Sequence, residues 1–200
     1  HATKVFSCIE GGAVVCRNEM LKRKIDALSN FGMYENSEPA GYGLNAKMNE
    51  LQAAFGLATL NYVDEAIQKR KKSVSLYKKL FKVIKGISFL PEQTDVQHNY
   101  CYLPIIIDPE VFGADAEQIL LFLQDYNIFP KRYFFPLITD SSLFKKFRTH
   151  KLPVAKSVSK NIVCLPLSDK IQMDEITYVF RLFDKLHKIN RVRTTQNIQH

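Results

Sequence analysis

The chain has 200 residues, of which 46% are hydrophobic and 24% are charged, and this ordinary globular composition excludes wholesale disorder. Gly and Pro number 8 each, so collagen-like and low-complexity classes are excluded as well. The net charge of +8 favours acidic partners such as phosphates, nucleotides or nucleic acid, but it does not indicate a fold.

No apolar run approaches the roughly 20 residues that cross a bilayer, and residues 1–4 lack the basic-then-apolar order of a signal peptide. The four cysteines are far apart and form no CxxC pair: Cys8, Cys16, Cys101 and Cys164. We therefore expect no membrane association, no disulfide framework and no structural zinc site, and a reducing, cytoplasmic location.

The first predicted elements are a short strand and an amphipathic helix. The apolar run at residues 12–16 predicts the strand, and Asn18 is suited to cap the helix that follows. The apolar positions of this helix recur at i, i+4 and i+7: Leu21, Ile25 and Leu28. Gly32 supplies a left-handed stop, and residues 33–46 are predicted to form an irregular loop.

One long helix is predicted from about Asn49 to about Lys85, with a bend near residues 61–62. A helix of this length is more than a small domain needs, which indicates a connection between two bodies. We interpret the basic run at residues 69–72 as a solvated face, because no aromatic ladder or nucleic-acid reader motif accompanies it.

Strands and helices alternate after Gly86, which predicts a compact α/β domain. The predicted strands lie at residues 100–107, 132–135 and 162–165. The first is followed by a helix capped by Asp115 with Gln118, and the second by a helix at 154–160. A final helix has Asp174 and Glu175 in its first turn.

These elements divide the chain into a remnant of a larger domain at residues 1–62, a connecting helix at 63–85, a small domain at 86–188 and a flexible tail at 189–200. One strand and one helix cannot enclose a core. We therefore expect the apolar faces of the first part to be covered by a partner chain or by an upstream half that the gene has lost.

Few residues are arranged for chemistry. The sequence contains no HExxH, GxSxG, Walker or GxGxxG motif, and its five histidines have no metal-ligand spacing, so no metal is expected. A Cys–His pair stays open, although nothing selects one. The remaining candidate is Lys4, whose amine can be a nucleophile only when it is partly neutral. On composition alone, a lysine near a terminus is a solvated charge.

Three segments carry a family resemblance. The first reads HATKVF at residues 1–6 and EGGAVV at 10–15, the second reads GLNAKMNELQAA at 43–54, and the third reads RYFFPL at 132–137 with LPVA at 152–155 and LPL at 165–167. Together they resemble the DegT/DnrJ/EryC1/StrS sugar aminotransferases, which are pyridoxal-phosphate (PLP) enzymes of fold type I. The resemblance extends over residues 1–188. It implies an α/β fold with part of the PLP-binding large domain, a long connecting helix and a small C-terminal α/β domain.

The resemblance also implies roles for individual residues. Lys4 would bind PLP covalently and shuttle a proton once an amino donor has displaced it, and a lysine at this position favours transamination over dehydration. Asn45 would reach the cofactor phosphate of the other subunit in a homodimer with shared active sites; the alternative is a turn residue after Gly43. Arg132 and Tyr133 would line the pocket for the nucleotide sugar; the alternative is a packed strand.

The implied reaction is amination of dTDP-4-keto-6-deoxyglucose at C4 with glutamate as donor, in the biosynthesis of O-antigen or lipopolysaccharide. The family's N-terminal half carries the residues that stack on the cofactor ring and pair with its nitrogen. We therefore expect this 200-residue chain alone not to transaminate. The alternatives are a non-catalytic remnant that dimerises through its apolar surface and, on charge alone, a nucleic-acid-binding domain.

Overall fold

The computed structural model describes residues 1–34, 38–147 and 151–197. The chain forms two compact units, His1–Glu65 and Ala66–His200, and the boundary between them falls within a helix. No helix among these described residues is long and apolar enough to cross a membrane.

The described part of the first unit contains two complete helices, α1 at Glu19–Ser29 and α2 at Glu50–Leu60. The strand predicted at residues 12–16 is wrong, because these residues have no regular structure. Val14 and Val15 are 70% and 95% exposed. The described part of this unit contains no strand that could pair with them, and an extended segment needs such a partner for its backbone N–H and C=O groups.

The single long helix predicted from Asn49 to Lys85 is in fact two helices, α2 and α3, and α3 comprises Val63–Phe81. The break falls at residues 61–62, where the bend was predicted. The backbone N–H groups of both residues donate to the carbonyl oxygen of Thr59, so the regular i→i−4 pattern of an α-helix stops there.

The second unit is built on a three-stranded antiparallel sheet in the order β1-β2-β3, with β1 at Ile87–Phe89, β2 at Leu103–Ile107 and β3 at Ile162–Leu165. Ile105 of β2 is paired with residues of both neighbouring strands. The strand predicted at 132–135 is wrong: these residues form a turn, closed by a bond of 3.2 Å from the Phe135 N–H to the Arg132 carbonyl oxygen.

The described part of this unit also contains two short 3₁₀ helices, Ile138–Asp140 and Ser142–Phe147, and four more α-helices: α4 at Pro109–Phe112, α5 at Ala116–Gln124, α6 at Pro153–Asn161 and α7 at Met173–Asn197. The predicted capping box at the start of α5 is confirmed, with Gln118 and Asp115 exchanging two hydrogen bonds of 2.8 and 2.9 Å. Helix α7 continues through most of the predicted tail at 189–200, and the last three residues of that tail lie outside the described part of the chain.

The core of the second unit lies between the sheet and helices α3, α5 and α7. Aromatic rings form its centre, and the Phe81 and Phe183 rings meet edge to face with centroids 5.1 Å apart. The largest fully buried side chains are Tyr77, Phe81, Phe112, Phe183, Ile105, Ile107, Ile119, Leu123, Ile176 and Val163.

Candidate functional site

Lys4 lies in a turn of the first unit, and its side chain is exposed. The Lys4 backbone N–H donates to the carbonyl oxygen of His1 at 3.1 Å. We call residues 4–11 the Lys4 segment.

The Lys4 segment runs along one face of α2. A Cβ atom on Gly56 would lie 3.1 Å from the Cβ atom of Cys8, which is closer than the ordinary carbon–carbon contact of about 3.5–4.0 Å. The Thr59 hydroxyl lies 3.0 Å from the carbonyl oxygen of Ser7, and its single proton is shared with two carbonyl groups of its own helix. The close approach therefore depends on a glycine on this face of the helix.

Gln52 holds the far end of the Lys4 segment. Its side-chain amide nitrogen donates to the carbonyl oxygen of Glu10. The amide oxygen accepts from the backbone N–H of Asn49 at 3.4 Å, and the Asn49 side chain accepts from the Gln52 N–H at 2.9 Å. One amide thus caps α2 and also anchors the segment that carries Lys4.

The role of Gln52 was missed in the sequence, although two signals point to it. Asn49 and Gln52 have the spacing of a capping box. Gln52, Gly56 and Thr59 also recur at i, i+4 and i+7, which places polar or small residues on one face of an otherwise apolar helix.

Asn45 and Lys47 lie in the loop before α2, and both are exposed. The Lys47 ammonium donates to the side-chain oxygens of Asn45 and Asn30, at 2.8 and 2.9 Å, and lies 4.6 Å from the centroid of the Phe31 ring. Since the Asn45 oxygen accepts from Lys47, its NH₂ group is the part that can donate outwards. An amide donor beside an ammonium is a suitable pair for a phosphate group.

The end of α1 holds this loop in place. The Leu44 N–H donates to the carbonyl oxygen of Leu28 at 2.7 Å. A Cβ atom on Gly43 would lie 2.0 Å from the backbone nitrogen of Gly32, so the two backbones can approach only because Gly43 has no side chain. Residues 43–46, at the end of the predicted irregular loop, are therefore tightly held, and Asn45 has a defined place at the end of α1.

Arg132 and Tyr133 belong to the second unit, whereas Lys4 and Asn45 belong to the first. The Arg132 guanidinium donates to the carbonyl oxygens of Lys160 at 2.7 Å and Ser159 at 3.3 Å, and it lies 3.6 Å from the centroid of the Phe135 ring. Arg132 thus holds the C-terminal end of α6, where a cation also suits the helix dipole.

Tyr133 borders a largely apolar groove of about 420 Å³. The groove is lined by Tyr133, Phe134, Leu137, Ile138, Thr139, Leu152, Ala155, Val158, Ser159 and Ile162. The centroids of the Tyr133 and Tyr102 rings lie 4.7 Å apart. This contact restricts the side-chain orientations that are open to Tyr133.

Cys164, the buried cysteine of the second unit, is not arranged as a nucleophile. Burial raises the pKa of the Cys164 thiol, against a smaller lowering effect of a hydrogen bond with the Tyr133 backbone. The thiol therefore stays protonated at neutral pH. The described residues also contain no group of three or more His, Cys, Asp or Glu side chains that could hold a metal ion.

A putative PLP-dependent aminotransferase from Bacillus cereus shares this fold, with a TM-score of 0.82 and 28% sequence identity over 92% of this chain and 50% of its own. The solved structure of DesI in the presence of its TDP-sugar product matches 98% of this chain, with a TM-score of 0.88 and 27% sequence identity. Residues 1–184 match the DegT/DnrJ/EryC1/StrS aminotransferase family, and the chain belongs to that family. The predicted family, fold class and family cofactor, PLP, are confirmed.

Two curated relatives are the dTDP-4-amino-4,6-dideoxy-D-glucose transaminases of Shigella dysenteriae and Escherichia coli. Each is 34% identical to this chain, over 90% and 86% of its length respectively. The chain spans about half the length of these proteins: 49% of the first, 47% of the second and 50% of DesI.

The residues of the first unit fit PLP chemically. Lys4 offers a primary amine on an exposed residue for the aldehyde, and the Asn45–Lys47 pair offers two donors of the kind that a phosphate requires. These similarities do not assign residues, so the roles of Lys4, Asn45, Arg132 and Tyr133 stay predictions.

Proposed function

We propose that this chain takes part in PLP-dependent transamination of a nucleotide-linked keto-deoxy sugar, with Lys4 as the lysine that binds the cofactor. The proposed substrate is dTDP-4-keto-6-deoxyglucose and the proposed amino donor is glutamate. The observation that carries the proposal is the anchoring of the Lys4 segment on α2, within a chain that matches the aminotransferase family over residues 1–184. The names of the two 34% identical relatives support the choice of sugar.

When bound, PLP supplies the electron sink that lets an amino group exchange between donor and acceptor. The Lys4 Nζ has two tasks in this proposal. It would attach the cofactor covalently, and once the amino donor had displaced it, the neutral amine would take the proton from the donor's α-carbon and deliver it to C4′ of the cofactor.

Asn45 and Lys47 are proposed to hold the phosphate of the cofactor. The Asn45 NH₂ group would donate one hydrogen bond, and the Lys47 ammonium would contribute its charge. In the proposed homodimer this phosphate belongs to the cofactor of the other subunit. The exposure of apolar side chains on the first unit supports an interface there, with Val15 95% exposed and Met20 and Leu51 each 77% exposed.

Tyr133 and Arg132 are proposed to border the substrate. Tyr133 does so as a lining residue of the apolar groove. The Arg132 guanidinium already binds two carbonyl groups of α6. We therefore assign Arg132 mainly to supporting this edge of the groove, and not to neutralising the diphosphate of the nucleotide sugar by itself.

Trapping with PLP and borohydride, followed by peptide mapping, tests the proposal. We expect one dominant label per chain, on Lys4, and its loss in Lys4→Arg, which keeps the charge but removes the reactive amine. Lys24→Arg on α1 is the matched control and should keep the label. A label spread evenly over the surface lysines would contradict the proposal, and a dimer that never takes the label on Lys4 would favour the non-catalytic alternative.

A further inference from the structure

The side-chain amide of Gln52 lies between the two groups of residues that the proposed function requires. On one side it donates to Glu10, the end of the Lys4 segment. On the other side it closes the cap of α2 at Asn49, directly after the loop that carries Asn45 and Lys47. The two ends of this amide therefore join the proposed covalent site to the proposed phosphate-binding loop.

The two bonds need different chemical properties of the side chain. The bond to the Asn49 N–H needs an acceptor, which a carboxylate supplies as well as an amide does. The bond to the Glu10 carbonyl oxygen needs an N–H donor, which an ionised carboxylate lacks. Replacing Gln52 with Glu therefore breaks the second bond and keeps the first, and an acid in the first turn of α2 also suits the helix dipole.

We infer that Gln52 is a positioning residue: its amide N–H fixes the Lys4 segment against the start of α2 and so sets Lys4 relative to the loop of Asn45 and Lys47. The inference rests on the proposed function for the role of Lys4. The anchoring itself is a property of the chain and can be measured without the cofactor.

The chain contains a matched control for the substitution. Gln118 occupies the same cap position in α5 and exchanges capping-box bonds with Asp115. The bonds of the Gln118 side chain that the structure describes all belong to that capping box. Gln52→Glu and Gln118→Glu are thus the same chemical change at the same helix position, and only the first removes the bond to Glu10.

Hydrogen exchange of the full chain is the first measurement. In Gln52→Glu we expect the backbone amides of residues 5–11 to exchange about tenfold faster than in the wild type, which corresponds to about 1.4 kcal/mol. The amides of α3 and α7 should keep their rates, which shows that the variant is folded. Gln118→Glu should leave residues 5–11 unchanged. Equal exchange in Gln52→Glu and wild type would overturn the inference.

A pH series adds a signature that a loss of packing would not produce. Below about pH 4.3, the ordinary pKa of a glutamic acid, the substituted carboxyl takes up a proton and again donates to the Glu10 carbonyl oxygen. Protection of residues 5–11 should then return towards the wild-type value. The Glu10 carboxylate, 3.9 Å from His1, and Glu50 in the first turn of α2 are present in both proteins, so each pH is compared with wild type. Protection that stays low at acid pH would overturn the inference.

Trapping of PLP on Lys4 is the second measurement. We expect the share of label on Lys4 to fall several-fold in Gln52→Glu and to stay unchanged in Gln118→Glu. An unchanged share in Gln52→Glu would overturn the positioning role while leaving the proposed function intact. No label on Lys4 in the wild type would instead overturn the proposed function, and the exchange result would still stand for the anchoring.

Discussion

The hydroxyl of Tyr77 donates a hydrogen bond of 2.9 Å to the carbonyl oxygen of Pro166, 89 positions further along the chain. Tyr77 lies on α3 and is fully buried, and Pro166 directly follows β3. Burial raises the pKa of Tyr77 well above its ordinary value, because the phenolate would lose its hydration in the core, and Glu175 adds a smaller effect in the same direction. The bond therefore connects α3 to the end of β3 through a phenol that stays protonated in the folded chain.

We predict that the free energy of unfolding falls as the pH rises above about 10. The unfolded chain releases the Tyr77 proton near pH 10, whereas the folded chain keeps it. The unfolded state then binds fewer protons, so stability decreases with pH, by up to about 1.4 kcal/mol per pH unit for this group. Urea unfolding as a function of pH measures the slope.

The Tyr77→Phe variant isolates this effect. At neutral pH it should be less stable by about 1 kcal/mol, because the Pro166 carbonyl oxygen loses its donor. Above about pH 10 its stability should decrease less steeply than that of the wild type. Tyr62→Phe, at a residue that is 67% exposed, is the control and should keep the wild-type slope. Identical slopes in Tyr77→Phe and wild type would contradict the prediction.

A larger side chain on α2 should displace the Lys4 segment. In Gly56→Val the new atoms meet Cys8, so we expect a loss of about 1–3 kcal/mol in stability or, if the segment detaches, rapid hydrogen exchange in residues 6–10. Ala54→Val puts the same branched side chain on an exposed position of the helix and should have little effect. Equal behaviour of the two variants would show that the segment does not depend on this contact.

Arg132 should contribute to the stability of the second unit. Arg132→Lys removes the planar guanidinium that binds the Ser159 and Lys160 carbonyl oxygens, so we expect a loss of about 1–2 kcal/mol. Chemical unfolding measures the loss, with Lys131→Ala at an exposed neighbour as the control. Unchanged stability together with weaker binding of the nucleotide sugar would instead indicate that Arg132 acts mainly on the substrate.

The 200-residue chain on its own should show no measurable amino transfer from glutamate to dTDP-4-keto-6-deoxyglucose. Lys4 is an exposed residue, whereas preorganised groups in a water-excluded site are the main source of catalysis. A sugar aminotransferase of the same family serves as the positive control. Turnover that disappears in Lys4→Arg would refute this prediction.

Local features of the sequence predicted the structure well. Asn18 caps α1 by accepting from the N–H groups of Met20 and Leu21, and β3 occupies the predicted residues 162–165. Gly32 adopts the left-handed conformation expected after α1, with φ of 77°. These features depend on side chains and backbone groups that are a few residues apart, and such interactions can be recognised from spacing alone.

The two wrong strands show where local patterns are insufficient. Residues 12–16 and 132–135 are apolar enough to form strands, yet neither is a strand, because a strand forms only where a neighbouring backbone accepts and donates its hydrogen bonds. The long helix shows the same limit, since its apolar pattern continues across residues 61–62 while the hydrogen-bond pattern does not.

The sequence by itself determined the helix caps, the family of the chain and the lysine that we propose to bind the cofactor. Only the tertiary structure decided which groups hold that lysine in place. The amide of Gln52 meets the carbonyl of Glu10 across 42 positions of the chain. No periodicity encodes such a pair, because its two members meet only when the Lys4 segment has folded onto α2.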